Sequence, residues 1–237
     1  MVQRACQPSE LGAKRLAYAV APLWHTRLFV LVLLLAPATS LLAGRNAAAQ
    51  LQHGSQVVSV YLPLLSVSIV FSAYVSGLGI GRNLLRELFG KPWLGARQAL
   101  LDVTWALLLA AALLGVDSVL QRLAMWPESL AAHSLLPQSL AAKACWLGLA
   151  ACVGVAEELV YRGYLQRQLS ALTGRVSLGI VAQALLFGIA HGEQGAFAVG
   201  RFTAYALAFG WVAERRQRLM AVTLCHVALD LHAGFCG

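Results

Sequence analysis

Long uninterrupted apolar stretches dominate the chain, and seven of them approach the length of about 20 helical residues that a membrane crossing requires. Unbroken runs of this kind predict helices, because a transmembrane barrel would show short segments of alternating polarity instead. The pattern therefore predicts an all-α fold, a polytopic transmembrane helical bundle with about seven spans. The predicted spans cover residues 28–43, 57–81, 99–120, 139–160, 177–192, 195–213 and 219–235.

Composition supports a membrane protein over the soluble classes. The chain is 59% hydrophobic and 12% charged, whereas an ordinary soluble domain is roughly 25% charged. A soluble fold of 237 residues has too little interior to bury so much apolar surface. A net charge of +8 would suggest nucleic acid as a partner for a soluble protein. In a membrane protein the basic residues are topology markers first, so we expect the lipid bilayer, and not nucleic acid, as a partner.

The basic residues alternate between the two sides of the predicted spans. All but four of the 18 lysines and arginines fall on the side that holds the N-terminus. The positive-inside rule then predicts a cytoplasmic N-terminus and an outside C-terminus. We expect an integral protein of a bacterial plasma membrane.

Several ionisable residues lie within apolar stretches, where a charge at a helix centre costs roughly 2.5–3.5 kcal/mol. Asp102 and Asp117 lie near the two ends of one span and are expected to have structural roles at the interface. The others lie on three separate helices, which is hard to explain as packing and indicates a functional site. They are Glu157, Glu158 and Arg162 in AEELVYRG, Phe187 and His191 in FGIAH, and His226 and Asp230 in HVALD.

Helical spacing predicts how these residues pair. Glu158 and Arg162 are four apart with the acid first, the favourable order for an ion pair. Glu157 is rotated by about 100° from Glu158, which leaves its carboxylate free for chemistry. A Glu with a nearby His such as His191 is the minimum set for activating a water by general base catalysis.

Phe187 and His191 also share a helix face, as do His226 and Asp230, because both pairs have the same spacing of four. If the helix after residue 139 continues to about Ser170, a rise of 1.5 Å per residue puts Glu157 roughly 20 Å from the following loop, similar to His191. We therefore expect the active site within the membrane.

The three motifs resemble those of the CAAX protease and bacteriocin-processing (CPBP) family of intramembrane endopeptidases. EELVYRG is similar to the family's Glu-Glu-x-x-x-Arg motif, FGIAH to Phe-x-x-x-His and HVALD to His-x-x-x-Asn/Asp, and they occur in family order. The resemblance covers about residues 139–232. It divides the single predicted membrane domain into 1–138, N-terminal helices without motifs, and 139–237, the catalytic helices.

The resemblance implies roles for the motif residues. Glu157 would be the water-activating base, assisted by His191, and His226 with Asp230 would stabilise the oxyanion of the tetrahedral intermediate. Because an ionised Asp is a poor oxyanion donor, Asp230 either is protonated or instead orients His226 or a metal. Glu158, Arg162 and Phe187 would have structural roles in the motifs.

The resemblance leaves the type of endopeptidase open between a metalloprotease and a glutamate protease. One Glu and two His, here Glu157, His191 and His226, could hold Zn²⁺ with an open fourth position. The sequence has no H-E-x-x-H motif, which favours metal-independent, glutamate-activated water. The expected substrate is a membrane-associated peptide or protein, processed as in CAAX processing. The alternatives are a non-catalytic membrane scaffold or immunity protein of the same family, and a proton-coupled transporter.

Overall fold

A computed structural model describes residues 19–35, 57, 61–77, 84–123 and 136–236. Within these ranges the regular elements are helices, apart from one isolated bridge between Gly90 and Arg218. The helices are α1 (Leu23–Leu35), α2 (Leu62–Gly77), α3 (Leu84–Phe89), α4 (Ala96–Arg122), α5 (Leu140–Thr173), α6 (Val176–Ala190), α7 (Ala196–Arg216) and α8 (Met220–Cys236). The all-helical class predicted from the sequence is confirmed.

Each predicted span overlaps one helix. Three of them, α4, α5 and α7, are long and apolar enough to cross a membrane, and α1, α2, α6 and α8 are shorter apolar helices. The protein is therefore an integral membrane protein, and the number of crossings stays a prediction. Residues 36–43 of the first predicted span, and 58–60 and 78–81 of the second, lie outside the described residues.

Helix α5 carries the first motif and is longer than the predicted span. It begins after Ser139, whose Oγ accepts a hydrogen bond from the N–H of Ala142 at 3.1 Å, and this side-chain cap satisfies a free amide of the first turn. It ends at Thr173 because Gly174 adopts the left-handed conformation at φ 67°, which an L side chain rarely adopts.

The extension of α5 is held by a buried glutamine. The Oε1 atom of Gln168 accepts hydrogen bonds from the N–H of Val20 at 2.7 Å and of Ala21 at 3.2 Å, and its Nε2 donates to Thr26. Both amides precede α1, so they have no hydrogen-bond partner within that helix. A polar stretch that would be unfavourable in lipid is thus buried against α1, and the N-terminal helix is fixed to the helix of the first motif.

Glycines set the closest helix contacts on α6. A Cβ at Gly188 would lie 2.6 Å from the carbonyl oxygen of Val199 on α7, and one at Gly179 would lie 2.6 Å from that of Gln166 on α5. Small residues let helix backbones approach in this way in membrane proteins, where packing takes the place of the hydrophobic effect. As a result α6 is closely packed against both neighbours and places the Phe187–His191 motif between them.

The two aspartates of α4 join it to α7. Asp102 is fully buried and accepts from Arg216 at 2.7 Å, and Asp117 accepts from Arg201 at 2.7 Å. Because Asp102 precedes Asp117 while Arg201 precedes Arg216, the two helices run antiparallel. Both aspartates thus have structural partners in arginines of α7, and their position at the membrane interface stays a prediction.

Candidate active site

The first motif meets the third where α8 crosses α5. A Cβ at Gly154, one turn before the two glutamates, would lie 2.9 Å from Cγ2 of Val227 and 3.7 Å from Cγ of His226. The absence of a side chain at Gly154 therefore allows α8 to approach, and this brings the buried imidazole of His226 beside Glu157 and Glu158.

His226 is the centre of the cluster and contacts three carboxylates. Its Nδ1 lies 2.8 Å from Oε1 of Glu158, which is a hydrogen bond. Its Nε2 lies 3.6 Å from Oε2 of Glu157 and 3.8 Å from Oδ2 of Asp230. The two ring nitrogens thus have different surroundings: Nδ1 is held by one buried acceptor, and Nε2 faces the two other carboxylates.

Glu158 also forms the ion pair predicted from its spacing. Nη1 of Arg162 donates to Oε1 of Glu158 at 2.8 Å, and both side chains are fully buried. The guanidinium lies 4.5 Å from the centroid of the Phe187 ring and 5.1 Å from that of Phe209, distances at which cation–π attraction is significant. The charge of Arg162 is thus balanced by one carboxylate and by the aromatic rings around it.

The motif lies where the hydrogen-bonding pattern of α5 changes. Residues Leu159–Leu165 form a π-helical segment, and all seven are buried. Such segments occur often at functional sites, because the wider turn changes which residues face inward. Here the change buries Arg162 in a stretch of helix that has no exposed face.

His191 lies one residue beyond the last residue of α6. Since a carbonyl oxygen can only accept, Nδ1 of His191 donates to the carbonyl of Phe187 at 2.8 Å, and in the neutral ring this leaves Nε2 as an acceptor. The ring lies between Phe187 and Phe202, at centroid distances of 4.6 and 4.2 Å. The predicted contact of Phe187 with His191 is therefore present.

Phe187 links all three motifs. Besides His191 and Arg162, its ring centroid lies 6.1 Å from that of His226 in an edge-to-face arrangement, a geometry that aromatic rings favour. The structure thus brings the three motifs around one phenyl ring, with the acidic cluster on one side and His191 on another.

Accessibility differs sharply among the charged residues. The side chain of Glu158 is fully buried, and that of His226 is 10% exposed. The side chains of Glu157 and Asp230 are 22% and 31% exposed. A reactant can therefore reach Glu157 and Asp230, while Glu158 and Arg162 act on it only through other residues.

Glu157, His191 and His226 are the residues that could hold Zn²⁺ by the chemistry of their side chains. In the part of the chain that the structure describes, no group of three or more His, Cys, Asp or Glu side chains is arranged to hold a metal ion. The choice between a metal-bound and a glutamate-activated water stays a prediction.

The sequence alone does not indicate the contact of Glu158 with His226, nor the position of Phe209 against Arg162. Phe209 lies on α7, which carries none of the three motifs, and its ring centroid is 5.7 Å from that of His226. Nothing in the sequence marks this phenylalanine among the other apolar residues of α7, because its role depends on which helices are neighbours.

Comparison with known proteins gives a family match over the segment that carries the three motifs. Residues 139–232 match the family model described as type II CAAX prenyl endopeptidase Rce1-like. No similar curated protein and no similar solved structure was found. The matched segment runs from the start of α5 into α8 and contains all three motifs and the whole His226 cluster. The similarity to the CAAX protease family that the motifs predicted is therefore confirmed over residues 139–232.

Proposed function

We propose that the protein is an intramembrane endopeptidase that hydrolyses peptide bonds of membrane-associated substrates with water activated by Glu157. The observation that carries the proposal is the cluster in which His226 faces Glu157 from one nitrogen and is held by Glu158 from the other. The match of residues 139–232 to a protease family supports the reaction class. The proposed site lies where α5, which is long and apolar enough to cross a membrane, meets the shorter apolar helix α8.

Glu157 is the proposed general base. It is partly exposed, and its Oε2 is 3.6 Å from Nε2 of His226, beyond hydrogen-bond distance, so its carboxylate is available to a water. In the first step Glu157 takes a proton from the water as the water oxygen bonds to the peptide carbonyl carbon. The electron pair of the C=O double bond moves to the carbonyl oxygen, which forms a tetrahedral oxyanion.

His226 is the proposed oxyanion stabiliser. With Nδ1 donating to Glu158, a protonated Nε2 would donate to the oxyanion, and the fixed ring would need no reorganisation as charge develops. Asp230, whose Oδ2 is 3.8 Å from Nε2 of His226, would orient the ring from the exposed side. This assigns Asp230 the orienting role among the alternatives that the sequence left open.

His191 is the proposed assistant of Glu157. Its Nδ1 donates to the carbonyl of Phe187, which leaves Nε2 as the acceptor nitrogen that would assist Glu157 in proton transfer.

The second step is the collapse of the tetrahedral intermediate. The C–N bond breaks, and the proton taken from water is delivered to the leaving amine. The products are a carboxylic acid and an amine, so the atoms of one water molecule are fully accounted for.

The decisive experiment measures cleavage of a quenched fluorescent peptide by the full chain in nanodiscs. Glu157→Gln keeps the size of the side chain but removes its basicity, and we expect a loss of about 10²–10⁴-fold in rate. Glu214→Gln is the matched control, because it changes a glutamate on α7 whose carboxylate accepts from Gln217 outside the cluster. Cleavage that survives in Glu157→Gln would refute the proposed base.

The same assay tests the alternatives. If a library of membrane-proximal peptides yields no cleavage product with the folded wild-type protein, a scaffold or a proton-coupled transporter becomes the better assignment. Zinc is tested by chelation followed by addition of Zn²⁺. We expect the rate to persist after chelation, and a rate that disappears and returns only with Zn²⁺ would assign the metalloprotease class instead.

A further inference from the structure

A groove between α4 and α7 is separate from the candidate active site. It encloses about 280 Å³, and its walls are almost entirely apolar. Trp105, Leu108 and Leu109 form the wall on α4, and Ala208, Trp211 and Val212 form the wall on α7. Both helices are long and apolar enough to cross a membrane, so the groove opens where hydrocarbon chains would surround the protein.

Two tryptophans face each other across the groove, one in each wall. Their ring centroids are 5.9 Å apart at an interplanar angle of 63°, an edge-to-face pair that is favourable in itself. Trp211 is 46% exposed, and Leu108 beside the groove is 63% exposed. The walls therefore offer a broad apolar surface to a chain that lies along the helices.

One end of the groove carries a cation. The guanidinium of Arg215, one turn after Trp211, lies 5.2 Å from the centroid of the Trp211 ring, and its side chain is exposed. The neighbouring cations are directed inward, because Arg216 and Arg218 both lie against the buried Asp102, at 2.7 and 3.6 Å. Arg215 thus presents its charge where the apolar groove ends.

We propose that this groove binds one anionic phospholipid, with an acyl chain along Trp105 and Trp211 and the phosphate at Arg215. An acyl chain fits the apolar walls, and the positive charge beside the groove favours a head group with net negative charge over a zwitterionic one. Glu214, the nearest acid in the chain, accepts from the amide of Gln217 and leaves Arg215 to the head group. The site would join α4 to α7 through a lipid, in addition to the two aspartate–arginine pairs.

The test places the full chain in nanodiscs and measures quenching of tryptophan fluorescence by phospholipids with brominated acyl chains. Brominated phosphatidylglycerol is compared with brominated phosphatidylcholine at equal mole fractions. Because the chain has six tryptophans, the same titrations with Trp105→Phe/Trp211→Phe isolate the signal of the groove. We expect the groove signal to be quenched at several-fold lower mole fraction by the anionic lipid.

Arg215→Gln should reduce this preference by about fivefold, the effect expected for one basic residue at an anionic surface. The matched control is Arg175→Gln, which removes an exposed arginine from the turn between α5 and α6 and should leave the preference unchanged. Ala208→Phe fills the groove and should reduce quenching by both lipids. If Ala208→Phe fails to fold, Ala112→Leu, which narrows the groove from α4, should have the same effect. Equal quenching of the wild type by the two lipids, or equal effects of Arg215→Gln and Arg175→Gln, would overturn the proposal.

Discussion

Nδ1 of His226 lies 2.8 Å from Oε1 of Glu158, the same oxygen that accepts from Nη1 of Arg162 at 2.8 Å. One buried carboxylate oxygen therefore joins the first motif to the third. Since Glu158 is fully buried and Glu157 is 22% exposed, two adjacent glutamates have different environments. Glu158 organises the cluster, and Glu157 is open to a reactant.

Substitutions in the first motif should separate stability from catalysis. Glu158→Ala or Arg162→Ala leaves a fully buried charge without its partner, which should lower the free energy of unfolding by about 3–5 kcal/mol. Glu157→Ala removes a partly exposed carboxylate and should abolish peptide cleavage with little loss of folded protein. The measurements are the yield of monodisperse protein and thermal unfolding in detergent, together with the peptide assay. Three variants that unfold like the wild type and differ only in rate would contradict this division.

The bond between Glu158 and His226 should appear as an energetic coupling. In a double-mutant cycle of Glu158→Ala and His226→Ala, the loss of unfolding free energy in the double variant should differ from the sum of the two single losses. The difference should be about 0.5–3 kcal/mol, as is typical of contacting residues. His232→Ala provides the control, because this histidine is on the same helix and is exposed. Its effect should add to that of Glu158→Ala. Additive effects in both cycles would mean that the hydrogen bond does not stabilise the fold.

Contacts within one helix were predictable from spacing alone. The pair of Glu158 with Arg162 and the contact of Phe187 with His191 both follow from positions four residues apart, and both are present. The contact of Glu158 with His226 spans 68 residues and depends on which faces of α5 and α8 meet. That choice is made by close packing at Gly154, and a hydrophobic pattern does not encode it.

The partners of the polar residues show a second limit of the sequence pattern. The apolar run of the predicted span ends near residue 160, and the helix continues to Thr173, close to the end at about Ser170 that the sequence allowed. Gln168 is fully buried, which a polarity pattern cannot anticipate, because its amide is satisfied by the backbone that precedes α1. Likewise, the sequence predicts structural roles for Asp102 and Asp117, but their arginine partners on α7 depend on the helix packing.

The crossing of α6 and α7 should tolerate no side chain at Gly188. A Cβ there would meet the backbone carbonyl of Val199 at 2.6 Å, which a rotamer change cannot relieve. Gly188→Ala should therefore lower the free energy of unfolding by about 1–3 kcal/mol, the usual cost of overpacking. Gly200→Ala on α7 is the control, because a Cβ at Gly200 meets nothing within 4 Å, and it should be neutral or slightly stabilising. Thermal unfolding of both variants in one detergent gives the comparison, and equal stability of both would contradict the close crossing.

The topology should be N-terminus inside and C-terminus outside, as the distribution of basic residues predicts. Helix α8 separates the turn at Gln217 from the exposed Cys236, and its 17 residues have a length of about 25 Å, close to the roughly 30 Å of a hydrocarbon core. In a variant that keeps only Cys236, an impermeant maleimide should label intact cells from outside. A second variant with Arg175→Cys as its single cysteine should be labelled only after the membrane is opened, because the turn between α5 and α6 lies on the predicted cytoplasmic side, which holds most of the basic residues.

Labelling of Cys236 only in opened cells would place both ends on the same side of the membrane. Since α4, α5 and α7 are each long enough to cross, that result would mean that one of the four shorter apolar helices does not cross the bilayer.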